Sequence, residues 1–171
     1  GHPSGRRIAA ALGHQVVPPV PSLFTLRLDA PWLTALAGLS QAPVDLELQV
    51  GPERFRQREG IVLMTHWGLS GPGLLRLTAF AARALQQHQY KAELRINWCG
   101  GLNVEQLRLQ LAAARQELAR RQLANGRPEL LLPLRRRLWL ALLEQAGLDG
   151  NRTWAALPRR GEPRLAELLL R

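Results

Sequence analysis

Cysteine, lysine, methionine and tyrosine each occur once in this 171-residue chain, as Cys99, Lys91, Met64 and Tyr90. One cysteine excludes an internal disulfide framework and a cysteine-built zinc site, and no histidine has a carboxylate at metal-ligand spacing, so no metal site is expected. A lone thiol also fits a reducing, cytoplasmic compartment. Aspartate is scarce, at Asp29, Asp45 and Asp149 only, which leaves little for paired-carboxylate acid–base chemistry. No apolar run approaches the roughly 18–20 residues of a membrane span, so no membrane partner is expected. Residues 1–12 lack the charged head and apolar stretch of a signal peptide. The chain opens on Gly1-His2-Pro3-Ser4-Gly5 without a methionine and reads as a segment of a longer protein.

What is present is globular in composition, with 46% hydrophobic and 21% charged residues, enough for one ordinary domain or two small ones. The balance of 23 cations against 13 anions gives a net charge of +10. It is spread along the chain: 10 cations and 6 anions in residues 1–100, 13 and 7 in residues 101–171. Such a field suits nucleic acid, anionic lipid or an acidic partner. The five tryptophans do not interleave with arginines, and no ribonucleoprotein, KH or zinc-finger signature occurs. Arg135-Arg136-Arg137 falls where a helix is expected to begin and opposes the helix dipole, a cost that bulk water or a partner anion relieves.

Periodicity divides the chain in two. Up to residue 100 short strands dominate. Ser22–Asp29 alternates, and in Val44–Val50 the residues Val44, Leu46, Leu48 and Val50 point one way while Asp45, Glu47 and Gln49 point the other. Gly51-Pro52 is a turn, Glu53–Arg58 a polar strand, Ile61–Thr65 a buried strand, and Tyr90–Trp98 alternates again. A short helix is expected over 30–36, a main one over Pro72–Gln87, and an opening one from Ile8 to Leu12 ended by Gly13. Beyond Gly100 the period is helical. Asn103 and Gln106 form a capping box, ahead of a stripe of Leu107, Leu111, Ala114 and Leu118. Arg120 and Arg121 are placed in that helix's last turn, with Gly126 closing it. Leu134, Leu138, Leu142 and Ala146 form a second stripe ended by Gly147, and Pro163 starts a third helix. The fold class is therefore α+β: a β-rich, barrel-like subdomain over 1–100 and an all-helical one over 101–171.

The strongest local motif is Thr65-His66-Trp67-Gly68-Leu69-Ser70-Gly71-Pro72-Gly73. A strand enters a Gly-Ser-Gly turn, and Pro72 is placed as the first residue of a helix. Such a turn either presents backbone N–H groups to an anion or lets the helix pack closely on the sheet. It is neither a P-loop nor the dinucleotide fingerprint, because its glycines follow G-x-x-G-x-G. His66 is the candidate proton-transfer residue, or a histidine bonded within the fold. Ser70 lacks the G-x-S-x-G elbow of a nucleophile, and Cys99 has no activating neighbour.

Three stretches together carry a resemblance: Pro3–His14, Val17–Leu23 with its Pro18-Pro19, and Thr65–Pro72, extended by Ile96-Asn97-Trp98 and Leu142–Leu148. They resemble the YhiN-like (BaiN-like, aminoacetone-oxidase-like) FAD-dependent oxidoreductases, over essentially the whole chain. The resemblance implies the insertion domain alone, lacking the flavin-binding Rossmann part. FAD is then expected in the full-length parent and not on this segment, whose partners are the FAD-binding domain of the same polypeptide and a small-molecule substrate. It further implies a substrate-side lid and spacer, with His66 as candidate acid or base and Thr65, Trp67, Gly68, Ser70 and Gly71 as the loop facing cofactor or substrate. The parent is expected to be the enzyme and the isolated segment inactive. Nucleic acid is not expected as a partner on this reading; a basic nucleic-acid-binding or protein-interaction module is the alternative.

Overall fold

The computed structural model describes residues 2–158 and 160–170. Five strands, β1 (Leu26–Arg27), β2 (Ser40–Val50), β3 (Glu53–Thr65), β4 (Gly68–Ser70) and β5 (Glu93–Asn97), form one sheet in the order β1-β4-β3-β2-β5. Every pair is antiparallel. The sheet curls into a half-barrel, and with its helices it makes an α+β fold. Its concave face is set by the alternation in β2: Val44, Leu46, Leu48 and Val50 are all buried, while Asp45, Glu47 and Gln49 lie on the outer side.

The two strands expected over 53–58 and 61–65 are one thirteen-residue strand. The pairing with β2 slips on either side of Val44, and opposite it Glu59 takes a positive φ of 51° beside Gly60. Two residues are accommodated against one, so the strand bends without ending. The expectation of a wholly buried 61–65 is corrected: Val62 and Met64 face the core, but Ile61 and Leu63 are 44% and 37% exposed. The strand expected over 22–29 shrinks to Leu26–Arg27. Leu23 has φ 56°, and the backbone of Phe24 pairs with the hydroxyl of Thr78 instead of with a strand. Tyr90 likewise has φ 60°, which confines β5 to Glu93–Asn97.

The helices are α1 (Ser4–Ala11), α2 (Pro31–Thr34), α3 (Pro72–Phe80), α4 (Ala82–Gln87), α5 (Val104–Glu117), α6 (Arg136–Gln145) and α7 (Gly161–Leu170). The single helix expected over 72–87 breaks at Ala81 into α3 and α4. Helix α5 begins with the expected capping box: Asn103 accepts from the Gln106 N–H at 2.8 Å, and the Gln106 side chain accepts from the Asn103 N–H at 3.1 Å. It stops at Glu117, short of the expected end. Arg120, Arg121 and Gly126 therefore lie in the irregular segment beyond it, because Gly126 is buried with its carbonyl taken by the Trp154 indole N–H at 2.7 Å. Leu134, Leu138, Leu142 and Ala146 are buried as one stripe, and Gly147 follows with φ 71°. Helix α7 starts two residues before Pro163 and seals the edge of the sheet: the Trp98 N–H donates to the Leu169 carbonyl at 2.9 Å. Buried residues from β2, β3, α3, α5, α6 and α7 form one contiguous cluster. Helix α1 contributes none, and its Ile8 is exposed.

Candidate functional site

The Thr65–Gly73 stretch folds as two tight pieces. Thr65 pairs with Gly68, so His66 and Trp67 form a two-residue hairpin tip between β3 and β4. The tip is pinned from both sides: the Thr65 hydroxyl donates to the Gly68 carbonyl at 3.0 Å, and the Leu28 N–H donates to the Trp67 carbonyl at 3.0 Å. Both side chains point to solvent, with Trp67 60% exposed. The other tryptophans are buried or half-buried. Leu69 then enters the core, and Ser70 is half-buried with its hydroxyl accepting from Thr25 Oγ1 at 3.3 Å. Among the described residues no hydrogen bond links His66 to another side chain. The motif thus places His66 and Trp67 side by side at the tip and turns Ser70 toward Thr25.

The glycines behind the tip have a packing reason. A Cβ at Gly71, where φ is 102°, would sit 2.8 Å from the Ile61 carbonyl oxygen. One at Gly73 would sit 2.9 Å from Gly60 Cα, so α3 leaves the sheet with its backbone against that of β3. Of the two readings of the turn, close packing of helix on sheet accounts for these positions.

Elsewhere, an apolar cleft of about 400 Å³ opens between the two edges of the half-barrel, lined by Phe24, Leu26, Leu28, Leu48, Tyr90 and Leu94. None of the motif's candidate residues lines it. Cys99 is half-buried, and burial pushes its thiol pKa up to about 12, so it is not a nucleophile near neutrality. No group of three or more metal-ligating side chains occurs among the described residues. No helix among them is long and apolar enough to cross a membrane.

A curled antiparallel half-barrel followed by packed helices defines the class: a barrel-and-helix domain. Residues 20–171 match the family described as HI0933-like protein barrel and H2TH domain, and the chain belongs to that family. A curated relative is the Ribosomal RNA dihydrouridine synthase of Haemophilus influenzae (strain ATCC 51907 / DSM 11121 / KW20 / Rd), 39% identical over 80 residues. The aligned stretch is 46% of this chain and 19% of that relative.

Proposed function

We propose that this chain is the insertion domain of an FAD-dependent oxidoreductase acting on structured RNA, with the flavin held by an FAD-binding domain of the same polypeptide. The domain as a whole serves as a substrate-side lid and spacer. The observation that carries this reading is the pinned, solvent-facing Trp67 with His66 beside it. A large aromatic left in water on a rigid hairpin is a stacking platform awaiting a planar ring, and stacking a base on such a side chain is worth about 1–3 kcal/mol. His66, beside Trp67 at the tip, is the candidate acid or base. Family membership supports the flavoprotein connection, the relative's printed name supports RNA as substrate, and the net charge of +10 suits a polyanion.

The test is binding of a fluorescent ribosomal-RNA hairpin to the chain, with Trp67→Ala beside it. The variant is expected to bind about 5- to 150-fold more weakly, the range that stacking energy implies. Unchanged affinity would remove Trp67 from the interface, and failure of the unsubstituted chain to bind would refute the RNA reading. A small-molecule substrate is the second reading, favoured by the apolar cleft between β1 and β5. The flavin assignment is checked by visible absorption: a colourless chain beside a yellow parent is expected, and a yellow chain would refute it.

A further inference from the structure

The most lopsided charge along the chain lies outside the hairpin-tip motif. Residues 119–137 hold six arginines, Arg120, Arg121, Arg127, Arg135, Arg136 and Arg137, against one anion, Glu129. The ion pairs among the described residues are Arg56–Glu47, Arg95–Glu47 and Arg95–Glu93, all on the outer face of the sheet. None reaches these six.

Packing brings three of the six to one turn, Asn125–Arg127: Arg121 and Arg127 from the irregular segment after α5, and Arg136 from the start of α6. The Arg121 stem lies over Gly126: a Cβ added at that glycine would be 2.9 Å from Arg121 Cβ and 3.3 Å from its Cδ. Arg136, the first residue of α6, donates to Asn125 Oδ1 at 3.2 Å. Arg127 is half-buried and donates to the Leu134 carbonyl. Burial, and secondarily the nearby Arg136 guanidinium, lower the Arg127 pKa. The turn itself is rigid. Its Gly126 carbonyl is held by Trp154, the Leu123 carbonyl accepts from the Trp139 indole N–H at 2.8 Å, and the two indoles stack 6.5 Å apart. Like charges on such a turn, with no carboxylate paired to them among the described residues, are stabilised by an anion that several guanidinium groups can grip at once.

We propose that Arg121, Arg127 and Arg136 form a phosphate-binding site that grips the RNA backbone, while the Trp67 tip contacts a base. This rests on the RNA reading above. Phosphate contacts position a nucleic acid and make affinity salt-dependent, whereas base stacking does not.

The test is the salt dependence of hairpin-RNA affinity for the chain, for Arg121→Gln/Arg136→Gln and for Arg121→Lys/Arg136→Lys. Both positions are exposed, and thermal melting confirms that each variant is folded. Each lost phosphate contact lowers the log–log slope by about 0.7 for single-stranded segments, so the glutamine pair should lower it by about 1.4. The lysine pair should keep the slope, and Trp67→Ala should weaken binding at unchanged slope. An unchanged slope in the glutamine pair, with the chain itself binding RNA, would overturn this site and leave the RNA reading standing. No RNA binding by the chain would overturn both. Displacement of the RNA by poly-glutamate as readily as by polyphosphate would overturn the phosphate assignment in favour of an acidic protein partner.

Discussion

Replacing Gly73 by alanine separates a packing role from a ligand-binding role for the glycine-rich turn. The new methyl would lie 2.9 Å from Gly60 Cα, 3.0 Å from the Ile61 nitrogen and 3.1 Å from the Ile61 oxygen. All three are backbone atoms of β3, held there by its pairing with β2 at Val44, so none can rotate away as a side chain would. Overpacking of this kind costs about 1–3 kcal/mol, and the rigid neighbours put Gly73 in the upper part of that range. Against it, alanine gains about 1 kcal/mol of helix propensity at most. The net expectation is a loss of about 1–2 kcal/mol. For a chain of this size that lowers Tm by roughly 2–8 °C, and the urea midpoint falls at unchanged m-value. Hairpin-RNA affinity, measured well below the melt, should not change. Stability equal to the parent's would refute the tight contact between α3 and β3. Weakened RNA binding with stability intact would return the turn to the role of an anion cradle.

Two further perturbations test other parts of the fold. Cys99 should be alkylated at pH 8 about a thousandfold more slowly in the native chain than in urea, because a pKa of about 12 leaves so little thiolate; equal rates would contradict its burial. Since folding raises that pKa, the neutral thiol's contribution to stability is complete below about pH 9 and is lost between there and about pH 12. Urea titrations across that range should therefore show a decline that Cys99→Ala lacks. Trp154→Phe removes the donor to the buried Gly126 carbonyl at 2.7 Å and should cost about 1–3 kcal/mol, read as a lowered denaturant midpoint. The turn carrying Arg121 and Arg127 should loosen with it, so amide exchange at Asn125 and Gly126 should quicken; unchanged exchange would show that the turn holds its shape without the indole.

The amino-acid order by itself determined the parts of this protein that depend on neighbours three or four residues away. The alternation of Val44, Leu46, Leu48 and Val50 settles which face of β2 is buried. The Asn103–Gln106 pair settles where α5 begins, and the leucines from Leu134 to Leu142 settle which side of α6 faces inward. These are local periods and local hydrogen bonds, so they are legible along the chain. What the tertiary structure decided was set by segments far apart in sequence. Whether the glycines at 71 and 73 hold an anion or a neighbouring strand depends on where Gly60 and Ile61 arrive, which no local period encodes. His66 and Trp67 were readable as a motif, but their place at a pinned, exposed tip required the antiparallel return of β4 and the approach of Leu28. The arginines at 121, 127 and 136 are six and nine residues apart along the chain. They become one cluster only because two buried tryptophans fold the intervening turn back onto the start of α6, and electrostatic fields follow distance in space, not distance along the chain.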